Sequence, residues 1–114
     1  MTQLFQPIVA TYRKMEITKI VFKEDGVFGE VRLFSENERA GKMDISVADG
    51  KIRVYHTEVN PKYEGRRFSK VLLHQLVNYA KENSLRIIPL CPYVLSEFRK
   101  HPADYVDVWL KKGM

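Results

Sequence analysis

"KIRVYHTEVNPKYEGRRFSKVLLHQL", residues 51–76, changes its hydrophobic period partway along, and the fold turns on that change. Up to Val59 the residues are β-branched, aromatic and alternating, as in a strand with two distinct faces. From Arg66 to Asn83 the apolar positions Phe68, Val71, Leu72, Leu76, Tyr79 and Ala80 recur at spacings of three and four. That spacing predicts an amphipathic helix over 66–83, with Arg67, Lys70, His74, Asn78 and Lys81 on its other face. Between the two lies "NPKYEGRRFSK" (60–70), which puts one glycine and two arginines at a helix entrance. A helix N-terminus offers unpaired N–H groups and partial positive charge, a natural seat for phosphate. Gly65 would let the backbone bend and a ligand come close, and Arg66 and Arg67 could add charge-assisted bonds. The plainer reading is a turn glycine with two solvated arginines. The loop is neither a Walker loop, which needs a second glycine and a Gly-Lys-Ser/Thr ending, nor a Rossmann fingerprint.

Upstream, the pattern is that of strands. "MEITKIVFK" (15–23) stops at Asp25-Gly26, "VFGEVRLFS" (27–35) follows, and the polar "ENERAGK" reads as a connector. "MDISVA" (43–48) alternates cleanly and stops at Asp49-Gly50, after which 51–59 completes a second hairpin. Asp-Gly pairs flanked by alternating residues predict an antiparallel meander. Downstream, Asn83-Ser84 ends the helix and "LRIIPLC" (85–91) reads as a short buried strand. Pro92 suits the first turn of a helix through "YVLSEFRKH", and Pro102 can open a last one, "ADYVDVWLKK". The order β-β-β-β-α-β-α-α predicts an α/β (α+β) fold, a sandwich or open mixed sheet.

The 114 residues carry no repeat, low-complexity tract or linker, so a single domain over 1–114 is expected. Apolar residues make up 45% and charged residues 29%, the balance of a soluble globular chain. No apolar run approaches the roughly 20 residues of a membrane span, and "MTQLFQPIVATYRK" lacks the features of a secretory signal. Cys91 is the sole cysteine, which excludes an internal disulfide and points to a reducing cytoplasm. The net charge of +5 is uneven: residues 1–57 hold nine Lys/Arg against eight Asp/Glu, and residues 58–114 hold ten against six. An anionic ligand or a nucleic acid would be drawn to the second half. The aromatics are not interleaved with the basic residues as stacking platforms require, which argues against nucleic acid.

"PLCPYV" sets Cys91 where a strand ends and a helix begins, a place that can favour thiolate, although a small buried hydrophobe is the alternative. Strict alternation along 51–59 puts Ile52, Val54, His56 and Glu58 on one face, and Arg53, Tyr55, Thr57 and Val59 on the other. His56 and Glu58 would then stand about 7 Å apart, and the carboxylate could take a proton from an incoming amine. One His, one Glu and one Cys do not make a metal site.

Together these features are more specific than each alone. "HTEVNPKYEGRRFSKVLLHQLVNYAKENSLRIIPLCPYVLSEFRKHP" (56–102) resembles the minimal, YjdJ-type branch of the GNAT N-acetyltransferase superfamily. The likeness rests on His56-Thr57-Glu58-Val59, Pro61, Glu64-Gly65, Pro89, Cys91-Pro92-Tyr93-Val94 and His101-Pro102. It implies a GNAT-like, mainly antiparallel sheet with one splayed strand pair and flanking helices. It also implies acetyl-CoA or coenzyme A as a substrate, and transfer to an amine of a small molecule or protein. The pantetheine arm would run along Thr57 to Val59, and the diphosphate would sit on the amides of Gly65, Arg66, Arg67, Phe68 and Ser69. The thioester would point towards Cys91, beside Pro92 and Tyr93. Glu58 is implied as base, and Cys91 either as nucleophile or as the acid that protonates the leaving thiolate, a role Tyr93 could share. A non-catalytic CoA-binding module is the alternative.

The chain departs from the family where a second glycine is usual and Arg67 stands instead; Lys62 takes the place of the usual Gln or Arg. If the missing glycine needs a positive φ, arginine adds strain of about 1 kcal/mol or more. If the position needs only closeness to phosphate, the side chain can swing out and grip it. The second account is the expectation here, because the amide stays available either way.

Overall fold

A computed structural model describes residues 16–111. The strands β1 (Glu16–Phe22), β2 (Phe28–Ser35), β3 (Glu38–Ala48) and β4 (Lys51–Val59) form an antiparallel meander. A 3₁₀ turn (Pro61–Tyr63) leads to helix α1 (Phe68–Glu82), after which β5 (Arg86–Pro89) joins β4 in parallel. Helices α2 (Pro92–Lys100) and α3 (Pro102–Tyr105) follow. The sheet order β1-β2-β3-β4-β5 gives the mixed, mainly antiparallel architecture expected. None of the helices among the described residues is long and apolar enough to cross a membrane.

Both Asp-Gly pairs make their turns. Asp49 and Gly50 have φ of 56° and 75°, the left-handed pair that matches strand twist in a two-residue hairpin. Asp25 accepts from the amides of Val27 and Phe28 at 2.8 and 3.1 Å, which closes the first hairpin loop. α1 crosses one face of the sheet: Thr18 donates to Gln75 at 3.1 Å and the Phe22 ring meets Tyr79 at 6.4 Å. Leu72 and Leu76 of α1, Val94 and Phe98 of α2 and the inward residues Val31, Leu33, Met43, Ile45, Ile52, Val54 and Ile87 are fully buried together. The opposite face of the sheet carries charge, with Glu30 bonded to Arg32 and Arg39 at 2.9 Å each and Lys42 to Asp44 at 3.1 Å.

Two boundaries depart from the sequence reading. "ENERAGK" is not a connector: Glu36 and Asn37 turn the chain with φ of 51° and 70°, and Glu38 to Lys42 already belong to β3. Small residues hide this half-strand, since a Cβ on Gly41 would lie 2.9 Å from the Glu58 carbonyl and 3.3 Å from Leu72. The last helix is one turn, not ten residues. After Tyr105 the chain extends beside β5, with Ile87 donating to Val108 at 2.6 Å and Leu110 donating to Ile87 at 2.9 Å. Covering the free edge of β5 satisfies backbone groups that a longer helix would leave unpaired.

Candidate active site

β4 and β5 share only four residue pairs, Lys51–Arg86 to Val54–Pro89. Cys91 then donates its amide to the Val54 carbonyl at 2.8 Å, and the chain turns into α2. From Tyr55 to Val59 the β5 side of β4 has no ladder partner among the described residues, so the two strands part there. Pro92 at the first helical position fits the turn away from the sheet, because its fixed φ is preorganised to open α2.

A β-bulge decides what faces the opening. Asp44 pairs with His56 and Ile45 with Val54, so Tyr55 is an extra residue in β4. Strict alternation is therefore broken, and the faces expected beyond Tyr55 are exchanged. Thr57 and Val59 turn inward with Ile52 and Val54, while His56 and Glu58 lie on the outer, charged face. Thr57 Oγ1 comes within 3.2 Å of Cys91 Sγ, across the mouth of the opening. His56 and Glu58 do point the same way, with Nε2 and Oε1 3.0 Å apart and both side chains 58% exposed. Cys91 is buried. The two catalytic candidates thus flank the strand pair from opposite faces.

The loop before α1 consumes some of its amides and leaves others. Tyr63 donates to Asn60 at 2.8 Å, Glu64 to Pro61 at 3.1 Å and Arg66 to Tyr63 at 3.2 Å. The amides of Gly65, Arg67, Phe68 and Ser69 meet no acceptor among the described residues. Gly65 has φ 85°, Arg67 has φ 61°, and α1 begins immediately after. Backbone of alternating hand ahead of a helix makes a concave cluster of N–H donors suited to an anion. The Phe68 side chain goes into the core and can offer a ligand only its amide.

Arg67 corrects one expectation. It adopts the left-handed region, with φ 61°, so the strain account holds. Arg67→Gly should accordingly gain up to about 1 kcal/mol in urea unfolding, as the steric cost of left-handed backbone exceeds the entropy that glycine adds to the unfolded chain. A less stable variant would show that the side chain anchors the loop.

Tyr93, at the start of α2, has a hydroxyl that is buried and finds no partner among the described residues. Burial, helped by the nearby Glu97 carboxylate, pushes its pKa up to about 12. Glu97 is itself buried and faces Lys70 at 3.4 Å and Lys100 at 3.7 Å, joining α2 to the first turn of α1. Lys62 does not point into the loop; its Nζ donates to Glu38 at 2.8 Å. Tyr63, which the sequence reading passed over, is buried and donates its hydroxyl to the same carboxylate.

Residues 30–108 match the family model described as GCN5-related N-acetyl-transferase. Among solved structures, a GCN5-like candidate N-acetyltransferase from Staphylococcus aureus is similar at 28% identity and TM-score 0.59, over 81% of this chain and 87% of that one. A ribosomal-protein-alanine N-acetyltransferase from Brucella melitensis biovar Abortus 2308 shares the fold at 16% identity and TM-score 0.56, over 95% of this chain and 83% of that one. An aminoglycoside acetyltransferase from an uncultured soil metagenomic sample, in complex with sisomicin, shares it at 14% identity and TM-score 0.57, over 88% and 68%. No curated protein matches the chain.

Proposed function

The chain belongs to the GCN5-related N-acetyltransferases, and on that premise we propose that acetyl-CoA lies in the opening between β4 and β5 and meets its amine there. The activity itself, passage of an acyl group from acetyl-CoA to an amine nitrogen, is the family's, and this chain is such an acyltransferase. One observation carries the placement: a strand edge and four amides, all without partners among the described residues, occur at the same end of β4. Thr57 to Val59 would hold the pantetheine arm and residues 65–69 the diphosphate, with Pro92 and Tyr93 beside the thioester.

The opposite-face placement of Glu58 and Cys91 favours direct transfer. The acceptor approaches from the outer face, where an open depression of about 670 Å³ is lined by Glu58, Lys42 and Arg39 among others. Its nitrogen attacks the thioester carbon, and Glu58, through water, takes the amine's proton. The carbon–sulfur bond breaks, and the departing thiolate receives a proton from Cys91 on the inner side. Burial pushes the Tyr93 pKa up to about 12, which makes it the weaker acid candidate of the two. It serves as a neutral hydrogen-bond donor. The acceptor is a small-molecule or protein amine, and a reducing, cytoplasmic location keeps Cys91 a free thiol. Within the superfamily the chain fits the YjdJ-type branch, on its His56-Thr57-Glu58-Val59 and Cys91-Pro92-Tyr93-Val94 segments.

Calorimetry with acetyl-CoA, free coenzyme A and a short DNA duplex tests the placement. Both coenzyme species should bind and the duplex should not, and a panel of amines should include one that releases coenzyme thiol. Failure of both coenzyme species to bind would remove the proposal.

A further inference from the structure

We propose that Tyr63 and Glu38 are positioning residues for the diphosphate loop: the hydrogen bond between them holds the turn in the shape that leaves its amides free, and so sets coenzyme affinity. The inference rests on the reading of residues 65–69 as the diphosphate site.

A turn that holds an arginine in the left-handed region just ahead of a helix needs support from its surroundings. Left-handed backbone is disfavoured for a non-glycine residue, so Arg67 holds that conformation against its own preference. Something outside the loop must fix it, and Tyr63 is placed to do so. It is 6% exposed, and its ring lies 5.3 Å from that of Phe68, the first residue of α1. The Arg66 guanidinium sits 5.4 Å from the ring centroid and Lys62 Nζ 5.6 Å, so the ring also orders the cations around it. A buried tyrosine needs a partner for its hydroxyl, and a carboxylate is the strongest neutral-donor acceptor available.

That carboxylate comes from far along the chain. Glu38 is the first residue of β3, just past the Glu36-Asn37 turn, and it pairs with Ser35 of β2. Its backbone is thus held by the β2–β3 pairing, outside the loop. Lys62 is the larger and Tyr63 the second cause that keeps the Glu38 carboxyl below its usual range, and the same bond raises the Tyr63 hydroxyl. The directions agree for both partners of one hydrogen bond. Lys62 itself is 62% exposed, so its arm of the contact is the weaker anchor.

The test uses Tyr63→Phe, Glu38→Ala, Glu38→Gln and Lys62→Met in the whole protein. Tyr63→Phe and Glu38→Ala should weaken coenzyme A binding about tenfold by calorimetry, the scale of one hydrogen bond to a charged group. KM for acetyl-CoA should rise in parallel while kcat at saturation holds. The Glu64 and Arg66 amides, whose acceptors are Pro61 and Tyr63, should exchange hydrogen faster. Glu38→Gln keeps an acceptor oxygen and should restore most of the affinity; Lys62→Met should stay within about twofold of the parent. Unchanged binding and exchange in Tyr63→Phe would overturn the proposal, as would a fall in kcat without a change in KM. If the parent protein bound no coenzyme, the site reading would fall, and the exchange measurement alone would still decide whether Tyr63 holds the loop.

Discussion

Glu58→Gln should lower acetyl transfer about a hundredfold or more while leaving coenzyme A affinity unchanged, because a positioned general base contributes on that scale. Glutamine keeps the shape and the hydrogen bond to His56 but cannot accept a proton. The side chain is 58% exposed, so the substitution costs little stability and the rate is the clean readout. Cys91→Ala is the companion measurement. Under direct transfer it slows the reaction by removing the thiol beside the departing sulfur, and mass spectrometry of the parent protein mixed with acetyl-CoA finds no acetyl group on Cys91. A trapped acetyl-cysteine, with complete loss of activity in Cys91→Ala, would replace direct transfer by a covalent route. Full activity in Glu58→Gln would remove Glu58 from the mechanism.

The second large effect concerns stability. Phe98 is fully buried, with its ring 4.4 Å from Tyr105 and 5.5 Å from Trp109. Through Trp109 it packs against the segment after α3 that returns to β5. Phe98→Ala should cost about 3–5 kcal/mol in urea denaturation, from lost transfer energy and the cavity left behind. Against a total stability of about 5–15 kcal/mol, that is a large share, and the midpoint of thermal unfolding should fall by more than about 10 °C. Val106, 66% exposed two residues before Val108, is the control; its alanine variant should be near neutral. A loss under about 1 kcal/mol in Phe98→Ala would mean that the neighbouring rings close the cavity.

Features written in local chemistry were legible in the sequence. The two Asp-Gly turns, the helical spacing from Phe68 and the proline that opens α2 each act within a few residues, and each stands where the sequence put it. The parts that could not be read depend on residues distant in sequence. No side chain marks Tyr55 as an extra residue; the bulge exists only as a mismatch between β3 and β4, yet it decides that Thr57 and not Glu58 faces Cys91. Glu38 and Tyr63 stand 25 positions apart, with nothing in either segment to announce the other. Arg67 was misjudged for a different reason: propensity assigns left-handed backbone to glycine, and nothing in an arginine side chain announces it.

The shortness of the β4–β5 ladder also shapes how the molecule assembles. The meander pairs neighbours along the chain and closes early, whereas the parallel seam must wait for α1 to fold and return, at a higher entropic cost. Four rungs make it the weakest join in the sheet and the natural place for local opening. A cofactor bound at that join, where it is proposed to lie, would grip both of the parts it links, so occupancy would act as a late fastener on the whole carboxyl-terminal third and its excursions would become rarer as cofactor concentration rises.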